Sequence, residues 1–117
     1  MARPSNKVKR KRSVKPQEFP PLPIPGTKDI IALRSKEALR AEGAEQNNCL
    51  GSYARRVKGG EIYIYKILSP ERATLGITMG PDGFWRRAEL GCAGNRPVSP
   101  LTAATVDEWL AAHSFSV

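Results

Sequence analysis

Apolar positions along the chain change their period several times, and each change marks an element. Glu61-Ile62-Tyr63-Ile64-Tyr65-Lys66-Ile67-Leu68 is rich in β-branched and aromatic residues and predicts a strand. After Ser69-Pro70-Glu71 turns the chain, Ala73, Leu75, Ile77 and Met79 alternate, which predicts a second strand with one apolar face. Gly80-Pro81-Asp82-Gly83 is a strong turn signal, and Phe84 to Leu90 alternates again as a third strand. Short connections between them imply an antiparallel meander. Upstream the spacing is helical. Ser35 suits an N-cap for a short helix ending at Glu42, with Gly43 as its C′ residue. Leu50, Tyr53, Ala54 and Val57 recur at i, i+3, i+4 and i+7, predicting a second helix over 49–58 that Gly59-Gly60 ends. Downstream, 91–97 reads as a loop, and Ser99-Pro100 opens a last helix carrying Val106, Trp109, Leu110 and His113 on one face. Thr105 and Glu108 offer an alternative capping box that would start it later. The expected order, α-α-β-β-β-α, describes a small single α+β domain. A three-stranded antiparallel meander is packed by helices on one sheet face.

The first 26 residues follow neither period. Residues 16–26 hold five of the ten prolines and predict an extended spacer, with Phe19, Leu22 and Ile24 as anchors along the domain. Pro20 and Pro23 also form a PxxP pattern, a second use for the same segment. Arg3, Lys7, Lys9, Arg10, Lys11, Arg12 and Lys15 fall in residues 1–15, with no acid among them. Such a stretch has no apolar surface to bury and is expected to be a disordered basic arm. The organisation read from sequence is therefore arm 1–15, proline-rich linker 16–26 and α+β domain 27–117.

This partition explains the charge. Of the formal +8 of the 117 residues, +7 belongs to the arm, which leaves +1 for the remainder. The basic run is followed by Ser, Pro and charge, which does not match a signal peptide, and no window approaches a membrane span. A cytoplasmic protein without a membrane partner is the expectation. Two cysteines and a single histidine give no zinc-ligand spacing, so neither a metal nor another cofactor is expected. Cys49 and Cys92 are expected to be reduced, packed thiols.

Candidate chemistry is densest between the first two predicted helices, in Glu42-Gly43-Ala44-Glu45-Gln46-Asn47-Asn48-Cys49-Leu50-Gly51-Ser52-Tyr53. Cys49 falls at a predicted helix N-terminus, where backbone N–H groups favour a thiolate nucleophile. Asn47 or Asn48 would then donate to an oxyanion. The other reading is a space-filling thiol with Asn48 as N-cap. The one histidine, His113, would have to be brought back by packing to serve as a base. Asn95 is either a turn asparagine or a member of the same pocket as the 47–53 segment. Gly51, inside a predicted helix, points to close approach of another backbone or a ligand. Tyr53 and Trp85 suit packing. Arg55, Arg56, Lys58, Arg86 and Arg87 concentrate the domain's cations, but adjacent arginines on a strand face opposite ways and make no patch by themselves.

Several of these residues together, Glu42-Gly43, Asn48-Cys49-Leu50-Gly51-Ser52-Tyr53, Gly60, Arg72-Ala73-Thr74-Leu75, Glu89-Leu90 and Gly94-Asn95, form a pattern that resembles the PcfJ-like family. The resemblance spans roughly residues 33–113, and its most specific piece is the Cys-x-Gly-x-Tyr box. Asn48 departs from the family pattern, which has histidine before the cysteine. The resemblance implies a conjugative plasmid, phage or other mobile-element setting, hence a bacterial or phage-infected host cell, and defines no reaction.

The expected function is non-specific binding of DNA or RNA through the arm residues Arg3, Lys7, Lys9, Arg10, Lys11, Arg12 and Lys15. The domain would present Asn47, Asn48, Gly51, Tyr53 and Asn95 as pocket residues for a second ligand. Two readings of other classes stand beside it: a cysteine-dependent enzyme centred on Cys49, and an adaptor or inhibitor that binds a host protein.

Overall fold

The computed structural model describes residues 19–48 and 50–114. The arm 1–15 and Cys49 fall outside the described residues. Four strands, β1 (Ile30–Ala32), β2 (Tyr63–Ile67), β3 (Ala73–Met79) and β4 (Trp85–Gly91), form one antiparallel sheet in the order β1-β2-β3-β4. The expected meander of three strands is present as β2 to β4, and β1 adds a fourth. It pairs Ile30 with Ile67 and Ala32 with Tyr65. Three residues of Ile-Ile-Ala carry too little alternation to announce a strand, so this pairing is visible only once β2 is there to receive it.

Helices cover both faces of the sheet, where the sequence reading expected one. On the first face α3 (Pro100–Ser114) packs Val106, Trp109 and Leu110 on Tyr63, Tyr65, Ile67, Ala73, Leu75 and Ile77. On the second, α1 (Lys36–Gln46) and α2 (Ala54–Lys58) bury Leu39 and Val57 with Leu50, Ile62 and Ile64. Because side chains alternate across a strand, the unbroken apolar run Ile62-Tyr63-Ile64-Tyr65 supplies both layers at once. Trp109 meets the Tyr65 ring edge-on at 5.0 Å between centroids, and Arg87 of β4 pairs with Asp107 of α3 at 2.9 Å.

The first helix runs past Gly43 and ends at Gln46, and the left-handed residue that stops it is Asn47, with φ 52°. Asparagine tolerates this conformation because its short side chain offsets part of the steric cost. Gly43 serves a different purpose inside α1. A Cβ there would stand 3.4 Å from both Asn48 O and Leu50 Cβ, so the glycine allows the following turn to lie close against the helix. The expected helix over 49–58 is a 3-10 turn (Leu50–Tyr53) continued by the five residues of α2, and Gly51 lies within the 3-10 turn. For α3, Ser99 is the cap: Thr102 N–H donates to its Oγ at 3.3 Å, and the later start at Thr105 is not used.

Residues 19–26 wrap the β1 edge. Phe19 is buried in the α1–α2 layer, whereas Ile24 and Leu22 pack in the α3 layer. Between them and the strand, Thr27 N–H donates to Ile30 O at 2.8 Å, and a Cβ on Gly26 would collide with that same oxygen. The hydroxyl of Tyr65 donates to Ile24 O at 2.6 Å and pins the strap. Burial of the phenol pushes its pKa upward, so it remains a donor.

Candidate functional site

A cavity of about 340 Å³ opens on the α1–α2 face of the sheet. Its floor comes from the sheet and the 3-10 turn: Ile64 of β2, Thr74 and Gly76 of β3, and Leu50. Gly76 keeps the floor low. A Cβ at that position would stand 3.0 Å from Ile62 Cδ1 and 3.3 Å from Ile64 Cδ1. Polar side chains line the more exposed part of the cavity: Asn48, Tyr53, Glu89 and Asn95.

Each of these side chains is positioned by local backbone chemistry. After the left-handed Asn47 turns the chain, Asn48 Oδ1 accepts from Leu50 N–H at 3.0 Å and starts the 3-10 turn. Tyr53 closes that turn, and its hydroxyl donates to Glu89 Oε2. This hydrogen bond to the carboxylate, with some burial, raises the Tyr53 pKa and keeps the phenol protonated. Arg56 sits over the Tyr53 ring, 5.1 Å from its centroid. Asn95 also has a positive φ, 64°, and follows Gly94 at 68°. Its loop is held by Cys92 N–H to Arg96 O at 2.7 Å and by Asn95 N–H to Cys92 O at 3.0 Å.

Glu89 reaches this face because of a β-bulge. Ile77 pairs with Arg87 and Gly76 with Glu89, so Ala88 is an extra residue in β4. The bulge reverses the alternation of β4 beyond Ala88. Leu90 turns to the α3 core and Glu89 to the cavity. Without it, the period of two would have directed Glu89 to the α3 side.

Behind Thr74 lies a charged cluster closed to the cavity. Thr74 Oγ1 donates to Glu42 Oε2 at 2.5 Å, and Arg72 forks onto both oxygens of the same buried carboxylate, with Nη1 to Oε2 at 2.9 Å. Arg72 Nε also pairs with the exposed Glu45 at 3.1 Å. This cluster fixes α1 on the sheet and leaves Glu42 with three donors.

Of the residues singled out from sequence, Asn48, Tyr53 and Asn95 meet at one cavity. Asn47 acts upstream as the helix stop, and Gly51 belongs to the turn that carries Tyr53. Of the two expectations for Tyr53, packing residue and pocket residue, its hydroxyl contact with Glu89 at the cavity fits the second. Glu89 and Thr74 were not singled out as pocket residues. They appear in the family-like pattern, but the bulge that orients Glu89 leaves no mark in the sequence. Cys49, the candidate nucleophile, lies outside the described residues. His113, its prospective base, contacts Trp109 in the α3 layer at 6.1 Å between centroids, across the sheet from Asn48 and Leu50. Packing therefore does not return the histidine to this segment.

Cys92 is buried, and its thiol donates to Glu71 Oε2 at 3.2 Å; burial, followed by the neighbouring carboxylate, raises its pKa. Glu71 Oε1 accepts from Ser99 N–H at 2.7 Å and Thr102 Oγ1 at 2.6 Å, tying the start of α3 to the β2–β3 turn. Among the described residues no group of three His, Cys, Asp or Glu side chains is arranged to hold a metal ion. Among them, too, no helix is long and apolar enough to cross a membrane. In comparisons with known proteins, no family model, no curated protein and no solved structure matches the chain.

Proposed function

We propose that the protein binds nucleic acid without sequence preference through residues 1–15, and that its domain offers the Asn48–Tyr53–Glu89–Asn95 cavity to a second ligand group. The observation that carries this reading is the partition of charge: +7 of the formal +8 lies in the first fifteen residues. Ion pairing within the domain supports it. Arg86 pairs with Asp82, Arg87 with Asp107, Arg56 with Glu61 and Arg72 with Glu42 and Glu45. Arg86 and Arg87 of β4 thus have carboxylate partners, and the arm is the main source of phosphate contacts. A mobile-element or phage setting, implied by the resemblance to PcfJ-like proteins, is part of the same proposal and suits an accessory protein that handles DNA or RNA.

Counterion release makes the test quantitative. If all seven arm cations reach phosphates of a duplex, log affinity falls against log salt with a slope of about −6. Deleting residues 1–15 brings the slope close to zero and weakens binding at low salt. A truncated chain with the affinity and slope of the full chain would overturn the reading.

A further inference from the structure

We infer that the cavity takes a single unpaired nucleobase of the strand held by the arm, an inference that rests on the nucleic-acid reading above. The chemistry of the lining selects the class. Among the described residues that line the cavity Glu89 is the only charged one, so a phosphate or carboxylate group would meet an anion there. A neutral ring with N–H donors and carbonyl or ring-nitrogen acceptors fits instead. Asn48 has its Oδ1 committed to Leu50 N–H, which leaves the NH2 group to donate. Asn95 presents an exposed amide with a donor and an acceptor. Glu89 uses Oε2 for Tyr53, and Oε1 remains to accept. Side-chain amides and carboxylates are the groups that read base edges, and unpaired bases are held by such contacts together with an apolar or aromatic surface. Leu50, Ile64 and the Tyr53 ring supply that surface. The volume of about 340 Å³ lies within the range of small-molecule sites.

Chain connectivity brings phosphates to the same place. Phe19 is buried in one cluster with Leu50 and Ile64, two residues of the cavity floor. Lys15 is four residues from it, a reach of at most about 14 Å. Residues 1–15 contain no aromatic side chain, so base stacking by the arm is limited to its three arginines. A dependence of affinity on the presence of bases that changes at Glu89 and Asn95 is therefore the signature of the domain. A base inside a duplex is withheld by pairing and stacking, and single strands are the ligand expected.

The full chain is titrated against two fluorescent strands of equal length, one with bases and one built of abasic sites, which keeps the phosphates and removes the rings. The base-bearing strand binds about tenfold tighter, the lower end of what base contacts contribute in single-strand sites. Glu89→Gln and Asn95→Gly reduce that ratio toward one and leave abasic affinity unchanged; glycine keeps the left-handed backbone while deleting the amide. Equal affinity of the wild-type chain for both strands overturns the base site and leaves the arm reading standing. A tenfold ratio that survives in both variants overturns the cavity as its source. Binding to neither strand overturns the nucleic-acid reading and this inference with it.

Discussion

Arg72, the residue before β3, holds both carboxylate oxygens of Glu42 on α1, a side chain only 1% exposed. The fork joins the helical layer to the sheet directly behind the cavity floor, because the same carboxylate accepts from Thr74. Removing the cation leaves a buried carboxylate with one remaining donor. Arg72→Ala is expected to destabilise the fold by about 3 kcal/mol, the low end for breaking a buried pair, since Arg72 itself is partly exposed. Urea unfolding reads this as a lower midpoint with little change in slope.

Glu71 makes stability depend on acid. Its bonds from Thr102, Ser99 and Cys92 hold its pKa at about 2, below the ordinary 4.5. A carboxylate whose pKa is depressed by folding stabilises the native state above its unfolded value, and that contribution disappears as pH falls from about 4.5 toward 2. Thermal midpoints measured across this window should fall more steeply for the wild-type chain than for Glu71→Gln. Parallel curves would mean that the cap on α3 contributes nothing through charge.

The strap over β1 hangs on one hydroxyl. Tyr65→Phe leaves Ile24 O without its donor in a buried setting, a loss of about 1–2 kcal/mol. Cleavage by a protease within residues 20–27 should accelerate while cleavage in the β3–β4 hairpin stays slow. Mass spectrometry of the fragments distinguishes local release of the strap from general unfolding.

Arg86 and Arg87 test how charge is divided between arm and domain. Each has an aspartate partner, Asp82 and Asp107. Single alanine variants should change affinity for nucleic acid by less than about twofold, because exposed paired cations contribute little and few phosphates depend on them. A tenfold loss for either would assign phosphate contacts to β4.

Legibility followed the range of the interactions involved. The strands β2, β3 and β4 and the helix α3 were readable because period and punctuation are local, although starts at Ser99 and at Thr105 both fitted the sequence of α3 and the structure uses Ser99. The strand β1 was not, since its three residues become a strand only by pairing with residues more than thirty positions later. The end of α1 lies beyond the expected stop at Gly43, where the turn through Asn48 and Leu50 packs within contact distance of the helix, and the left-handed stop falls to Asn47. For the candidate site, residue type was enough to single out Asn48, Tyr53 and Asn95. Glu89 was hidden by the extra residue in β4, and the position of His113 depended on which face α3 covers.

The sequence by itself determined the charged arm, the order of most elements and the polar residues worth following, because composition and period need no knowledge of the fold. Tertiary structure decided which of those residues meet. Helices on both faces separated His113 from the 47–53 segment, and one bulge turned Glu89 toward Tyr53. Both outcomes depend on strand pairing and layer packing between distant parts of the chain, which no local pattern specifies.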